Sequence, residues 1–358
     1  MRALRAFFIN VLFIGQIFCY NIYRRILNCQ SEVRIFEAKT SRRFGCSDNR
    51  QRDGKPLFEE VHMVKLDKVL VVGVSSRALF DMSEGNRIFE QRGLAEYSEY
   101  MRAHESEPLA PGSAFGLIKA LLRLNDSDRR RVEVIIMSRN SADTSLRIFN
   151  SLKHYGLDIT RAVLTSGAPL APYLNAFCAD LFLSADEEDV KKAISSKVAA
   201  GIICTDRGGY DADEVIDTLK IAFDGDAVLF SGEADEIWKE KGEGEFIKNE
   251  VQNAETPLPE GPFAPLLKTL SFLQNEFEGA QRPIRTALVT ARNAPTHERV
   301  IRTLRAWDVK IDEAFFLGGM DKREFLHAFG AHIFFDDAPA NTESAKEVVA
   351  TARVPVSI

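Results

Sequence analysis

The stretch Ile221 to Phe230, IAFDGDAVLF, places two carboxylates one residue apart at the end of an apolar run. Residues 221–223 predict a buried strand of an α/β sheet, and Gly225 allows the chain to turn sharply beside the first carboxylate. Such a position suits a nucleophilic Asp224 and a proton-handling Asp226. An Asp-Gly-Asp triplet alone is more often a surface turn or a metal loop, so its assignment depends on the rest of the chain.

Further polar residues follow other short apolar runs of the chain. They are Thr290 after residues 286–289, Lys322 after residues 314–317, and Asp336 and Asp337 after residues 332–335. Because the carboxyl ends of parallel strands share one edge of an open sheet, we expect these side chains to meet in one crevice. The set predicts a phosphoryl-transfer site, because that chemistry depends on positioning and on neutralising a charged group.

Each catalytic candidate has a predicted role. Asp224 would attack phosphorus and form an aspartyl phosphate, while Asp226 would protonate the leaving alkoxide and later take a proton from water. Thr290 and Lys322 would hold the phosphoryl oxygens. Arg292 is a further candidate for contact with phosphate or ribose, with a helix-face salt bridge as the equal alternative.

A group of carboxylates beside a phosphate also requires a cation. A hard ion with oxygen ligands fits, and we predict Mg²⁺. Its predicted ligands are the Asp224 and Asp336 carboxylates and the Asp226 backbone carbonyl, with Asp337 holding a bound water.

The order of these motifs resembles that of the haloacid dehalogenase superfamily: Asp-x-Asp, then Ser or Thr, then Lys, then an acidic pair. The resemblance implies a Rossmann-like sheet with a small helical cap inserted after the first motif. We place this cap at residues 231–281, where a helical pattern runs from Ala234 to Asn249. Its Trp238 and Phe246 would either stack on a base or pack in a core, and we favour core packing.

The chain also contains an internal repeat with an offset near 150 residues. In the first copy Ser75 and Arg77 stand opposite Asp224 and Asp226, Ser138 opposite Thr290, and Ser184-Ala185 opposite the acidic pair. We therefore predict two tandem haloacid dehalogenase-like units, the first a degenerate copy without catalytic groups. For Arg77 we favour a solvated or salt-bridged surface arginine over an anion contact. The predicted boundaries are an N-terminal extension at 1–62, a degenerate half at 63–205, a linker at 206–217 and a catalytic half at 218–358.

A narrower resemblance, to the cytosolic 5′-nucleotidase I family, covers about Leu66 to Ile358. It is carried by residues 75–82, 86–91, 104–108, 183–186, 222–231, 288–292 and 333–337. The resemblance implies Mg²⁺-dependent hydrolysis of nucleoside 5′-monophosphates, with AMP preferred. Residue chemistry alone reaches only a small phosphomonoester. A sugar phosphatase and a nucleotide-sensing protein with incidental turnover therefore remain alternatives.

The amino-acid composition limits the kinds of ligand and partner that the protein is expected to bind. A chain of 358 residues with 45% hydrophobic content has room for two α/β units, and its net charge is −6. The absence of a basic stripe from the body of the sequence argues against a nucleic-acid partner. The cysteines and six histidines show no zinc-ligand spacing. Homo-oligomerisation stays open.

The first 62 residues differ in composition from the rest. They include an uncharged run from Ala6 to Tyr23, which as a helix at about 1.5 Å per residue would only just cross a thin bilayer. Asn10, Gln16 and Asn21 interrupt this run. We favour an unstructured or non-native extension over a membrane anchor, and expect a cytoplasmic enzyme in either case.

Overall fold

One ten-stranded sheet runs through the part of the chain that the structure, a computed structural model, describes: residue 66 and residues 69–204, 211–277 and 282–355. The strands are β1 Leu70–Val74, β2 Val132–Ser138, β3 Arg161–Leu164, β4 Leu181–Ser184, β5 Ala199–Ile203, β6 Leu219–Phe223, β7 Ile284–Thr290, β8 Glu313–Phe316, β9 Ile333–Asp336 and β10 Ala350–Arg353. The predicted α/β class agrees with this arrangement, and the sheet is mostly parallel rather than wholly parallel as the Rossmann-like prediction implied. The predicted extension at 1–62 lies outside the described residues.

The strand order is β3-β2-β1-β4-β5-β10-β9-β6-β7-β8. The first half of the sheet, read inwards as 3-2-1-4-5, therefore has the same order as the second half, read inwards as 8-7-6-9-10. Strands within each half pair in parallel, whereas β5 and β10 pair antiparallel in the middle, with Ile203 opposite Ala352. The halves thus run in opposite directions, and their strands have carboxyl ends at opposite edges of the sheet.

Helices cover the sheet on both faces. They are α1 Ser76–Leu79, α2 Ser83–Arg92, α3 Leu94–Ala103, α4 Phe115–Leu122, α5 Leu146–His154, α6 Ala171–Ala176, α7 Glu187–Ser195, α8 Glu233–Lys241, α9 Glu243–Gln252, α10 Ala264–Glu276, α11 His297–Ala306, α12 Arg323–Phe329 and α13 Pro339–Ala345. The predicted tandem units share one sheet and, on one face, one core. Phe115 of the first half and Phe223 and Phe335 of the second belong to the same buried cluster. On the other face each half has a core cluster of its own.

Each half carries a pair of helices soon after its first strand: α2 and α3 in the first half, α8 and α9 in the second. The helical pattern predicted from Ala234 to Asn249 corresponds to the two helices α8 and α9, which Gly242 separates with φ +81°. Gly93 breaks the first pair in the same way with φ +86°. Glycine adopts this left-handed conformation without steric cost.

The predicted linker is only partly described. Its residues 206–210 lie outside the described part, and the remainder runs along α4. Lys119 donates to the carbonyls of Ala212 and Glu214, and Arg123 donates to the Ile216 carbonyl at 3.2 Å. The boundaries at 63, 206 and 218 stay predictions. Within the described ranges, no helix has both the length and the apolar character that a membrane span requires.

Candidate active site

The end of β6 places Asp224 next to Thr290 at the end of β7. The Asp224 backbone N–H donates to the Phe335 carbonyl at 2.8 Å, which fixes this turn to β9. A Cβ on Gly225 would lie 3.2 Å from the Thr290 hydroxyl oxygen, so glycine allows the two loops to approach closely. Ala227 then turns the chain away in the left-handed region, with φ +61°.

Lys322 links the first and last motifs. Its Nζ lies 2.7 Å from Asp224 Oδ1 and 2.6 Å from Asp336 Oδ2. All three residues are buried, as is Thr290. The structure therefore brings these four residues together, although Asp224 and Asp336 lie 112 positions apart in the sequence.

Asp336 has a fixed orientation. Its Oδ1 accepts a hydrogen bond from the Ala338 backbone at 2.8 Å, and Asn341 Nδ2 donates to Oδ1 at 3.1 Å and to Oδ2 at 3.0 Å. Asn341 was not among the residues predicted for the site. Its position shortly after the acidic pair, on the first turn of a helix that begins with proline, was the available signal.

Burial and the charges of neighbouring groups together shift the pKa values of the site. Burial raises the pKa of Asp224 well above its ordinary value, the Lys322 ammonium opposes this shift, and the charge on Asp336 adds to it. Burial lowers the pKa of Lys322, but the charges of Asp224 and Asp336 outweigh it, so this pKa is raised and the ammonium persists. Burial raises the pKa of Asp337 to about 6, assisted by the charges of Asp336 and Asp235.

The carboxylates of Asp224, Asp336 and Asp337 form a group suited to a cation. One oxygen from each lies within 4.8 Å of the others. Three hard oxygen donors fit Mg²⁺ better than a soft metal, and a cation would offset both the burial and the repulsion that raise the pKa of Asp337. The Asp226 carboxylate does not belong to this group of the described residues; it contacts Arg292.

Arg292 connects the loop after β6 with the helical insert, the pair of helices α8 and α9. Its Nε and Nη2 donate to the two Asp226 oxygens at 2.8 and 2.7 Å. Nη1 donates to Glu250 of α9, whose other oxygen accepts from Arg299 at 2.8 Å. Burial lowers the pKa of Arg292, but its bonds and charge interactions with Asp226 and Glu250 outweigh this and raise it. Arg292 therefore takes part in buried ion pairs, and sequence reasoning missed Glu250.

The aromatic residues of the insert have different environments. Trp238 is 54% exposed, so the expectation that it packs in a core is wrong for this residue. Phe246 is half-buried, with the Arg292 guanidinium 5.3 Å from the centre of its ring.

Asp235 of α8 is another residue that the sequence did not single out. Burial raises its pKa, with the Asp226 charge next in importance.

An α/β sheet with a buried Asp-Lys-Asp contact, an adjacent Thr and a three-carboxylate group defines a class of site suited to phosphoryl transfer through an acidic nucleophile. Family comparison is more specific: residues 62–358 match the family model described as 5′-nucleotidase. The chain belongs to this 5′-nucleotidase family, which confirms the resemblance seen in the sequence.

Cytosolic 5′-nucleotidase 1B of Homo sapiens is 38% identical to the chain over 296 residues, which cover 79% of this chain and 48% of that protein. The chain thus spans about half the length of the curated relative that it matches. Among solved structures, histidinol dehydrogenase from Elizabethkingia anophelis covers 81% of this chain and 54% of its own, with 9% identity. Its TM-score of 0.22 is too low to carry any argument.

Proposed function

We propose that the chain hydrolyses nucleoside 5′-monophosphates, AMP preferentially, to a nucleoside and phosphate. The observation that carries this proposal is the Lys322 contact with both Asp224 and Asp336, in a chain that belongs to the 5′-nucleotidase family. The human relative is named as a cytosolic enzyme, and we propose the same location for this chain.

The proposed reaction has two steps on Asp224. Its carboxylate oxygen attacks phosphorus while the ester bond to the nucleoside breaks, and Asp226 gives a proton to the departing O5′. Water then attacks the phosphorus of the aspartyl phosphate, Asp226 takes a proton from that water, and phosphate leaves. Lys322 and the Thr290 hydroxyl neutralise and orient the phosphoryl oxygens.

Arg292 acts in this scheme as a positioning residue for Asp226. Both Asp226 oxygens accept from Arg292, and each keeps a further lone pair that can carry the transferred proton. Arg292 also bonds to Glu250 of the insert, so movement of the insert over a substrate would act directly on the acid. A contact of Arg292 with phosphate or ribose is the further role in this proposal.

Asp224, Asp336 and Asp337, with the Asp226 backbone carbonyl, would hold Mg²⁺. Bound there, the ion would supply charge neutralisation for the phosphate and its carboxylate neighbours. We expect EDTA to abolish turnover and Mg²⁺ or Mn²⁺ to restore it. Undiminished turnover after exhaustive chelation would contradict the proposed metal site.

The insert of α8 and α9 is proposed to act as a cap, with Trp238 stacking on the base. A substrate panel tests this together with the substrate class: nucleoside monophosphates, glucose 6-phosphate and p-nitrophenyl phosphate with Mg²⁺. We expect AMP to have the highest kcat/KM. Trp238→Ala should raise KM for AMP more than for p-nitrophenyl phosphate, since base stacking contributes about 1–3 kcal/mol.

Phe272→Ala, which removes an exposed aromatic on α10, is the matched control and should change neither KM. A preference for glucose 6-phosphate would favour the sugar phosphatase alternative. Nucleotide binding with negligible turnover of every substrate would favour the sensing alternative.

A further inference from the structure

The first half contains a cavity of about 460 Å³ at the carboxyl ends of β1, β2 and β4. Its volume lies within the range of about 300–1,000 Å³ that is typical of small-molecule pockets. Ser75, Arg77, Ser138 and Ser184, the residues opposite the catalytic motifs, all line it. Because the two halves of the sheet run in opposite directions, this cavity lies at the opposite edge from Asp224 and is a separate place for a ligand.

The loops around the cavity keep the backbone arrangement of the catalytic site. The Ser75 N–H donates to the Leu183 carbonyl at 2.8 Å, as the Asp224 N–H does to Phe335. The Ser138 hydroxyl accepts from the Asn140 N–H at 3.1 Å, and Thr290 accepts from Arg292 at 3.2 Å. The frame of a phosphoryl site thus persists where the carboxylates are gone.

The cavity offers hydrogen-bond donors and one cation without an ion partner. Arg77 is exposed, and within the described ranges it makes no salt bridge; it is thus the solvated form of the surface arginine that the sequence favoured. Burial raises the pKa of Tyr97 and the nearby Asn140 side chain partly offsets this, yet the buried Asn140 Nδ2 has no hydrogen-bond partner among the described residues. Ser76 and Ser138 hydroxyls lie 3.1 Å apart.

The acidic residues of the cavity are already engaged. Arg139 Nη2 lies 2.5 Å from Asp189 Oδ1 and 3.8 Å from Asp186 Oδ1. Asp186 also caps α7, because its Oδ1 accepts a hydrogen bond from the Asp189 N–H at 2.9 Å. Arg77 is therefore the charge left to attract a ligand. Since Ser75, Arg77 and Ser184-Ala185 stand where the second half has carboxylates, an anion needs no metal ion to approach.

The other wall of the cavity is apolar and comes from the paired helices α2 and α3. Phe89 and Leu94 are 48% and 64% exposed, and the Phe89 and Tyr97 rings lie edge to face with centres 5.9 Å apart. Exposed aromatic surface beside hydrogen-bond donors suits a planar ring attached to an anionic group.

We propose that this cavity binds a nucleoside monophosphate without a metal ion and without hydrolysing it. Its phosphate contacts Arg77 and the hydroxyls of Ser75 and Ser138, and its base lies against Phe89 and Tyr97. The choice of a nucleotide among ring-bearing phosphate esters rests on the function proposed above. The geometry of the cavity does not depend on that function.

Equilibrium dialysis of radiolabelled AMP in EDTA tests this proposal. The full chain carries Asp224→Asn, so no hydrolysis interferes. We expect a single AMP to bind per chain, with adenosine and inorganic phosphate each binding more weakly. Arg77→Gln should weaken this binding about 10- to 100-fold, as expected for the loss of charge-assisted hydrogen bonds.

Ser75→Asp is the second variant. Ser75 caps α1 by accepting from the Ala78 N–H, and Asp is an equally good N-cap, so the variant should fold. Its carboxylate would repel the phosphate and abolish EDTA-resistant binding. Arg92→Gln, an equal charge change at an exposed position of α2 outside the cavity, is the matched control and should bind like the parent.

No EDTA-resistant binding of AMP, or binding that survives both Arg77→Gln and Ser75→Asp, would overturn the proposal. Failure of the proposed function has a different signature. It would appear as no nucleotide hydrolysis by the unaltered chain with Mg²⁺, whatever dialysis in EDTA shows.

Discussion

The two halves of the sheet share the contacts that hold the fold and differ in the residues that suit phosphoryl chemistry. Arg147 Nε donates to the Glu107 carbonyl at 2.9 Å, and Arg299 Nε donates to the Thr256 carbonyl at 2.9 Å. Likewise Ser151 accepts from the Leu109 N–H and Thr303 from the Leu258 N–H, both at 2.9 Å. This difference teaches that a half can keep its framework after the chemical groups change, so fold alone does not report function.

The helical pairs show the same contrast. Glu250 on α9 holds two arginines of the second half, whereas the corresponding position on α3 is Met101, a buried apolar residue. Charge is thus buried where the insert meets the proposed catalytic acid. The first half buries a thioether at that turn and leaves Arg77 exposed beside its cavity.

The largest expected effect comes from separating the halves. Residues 217–358 alone would expose the β10 edge that pairs with β5 and part of the apolar cluster shared with Phe115. We expect no cooperative thermal transition and no nucleotide turnover. A chain beginning at Met63 is the control and should keep both. Cooperative melting of the fragment with full turnover would show that the halves are independent.

Asp224→Asn should have the next largest effect. It removes the attacking anion, so turnover should fall roughly 10⁴-fold. Burial raises the pKa of the Asp224 carboxyl, which means that its charge is unfavourable in the folded state. The neutral amide should therefore leave the protein folded. The measurement is kcat for AMP beside a thermal melt. Asp143→Asn, at an exposed ion pair of the first half, should leave kcat unchanged. A folded Asp224→Asn protein with ordinary kcat would refute the nucleophile.

Glu250→Gln tests the buried ion-pair cluster that Glu250 forms with Arg292 and Arg299. It leaves Arg292 and Arg299 without their shared buried counter-ion, so urea unfolding should show a loss of about 3–5 kcal/mol. Glu245→Gln breaks an exposed pair with Lys248 on the same helix and should cost under about 1 kcal/mol. Equal costs would mean that the cluster adds no stability of its own.

The smallest effect concerns pH and metal. The pKa of Asp337 is raised from 3.8 to about 6 on folding, so the folded protein binds that proton more tightly than the unfolded chain. Metal-free stability should therefore fall as the pH rises from about 4 to about 6, by about a few degrees in Tm. Mg²⁺ should reverse this loss, and Asp337→Asn should remove it. A Tm in EDTA that rises across this interval by the same amount in both proteins would contradict the shift.

Much of the framework could be predicted from the sequence. The strands before Asp224, Thr290, Lys322 and Asp336 have apolar runs bounded by polar residues, and their observed limits differ from the predicted ones by at most two residues. Their shared edge follows from the geometry of parallel strands.

The rest depends on contacts without a sequence signal. Glu250 stands in an ordinary charged helical pattern, and only the approach of α9 to Arg292 buries it. The antiparallel pairing of β5 with β10 joins two edges with no distinguishing pattern. A single glycine inside a helical pattern is often tolerated, so the break at Gly242 could not be located from the sequence.

The central claim is that the second half alone carries the nucleophile, at Asp224. Incubation with [³²P]AMP and Mg²⁺, a rapid acid quench and borohydride reduction would convert an aspartyl phosphate to homoserine, which mass spectrometry locates in the chain. The account predicts homoserine at position 224 and none in residues 63–205. Homoserine in residues 63–205, or steady turnover with no modified residue at 224, would contradict it.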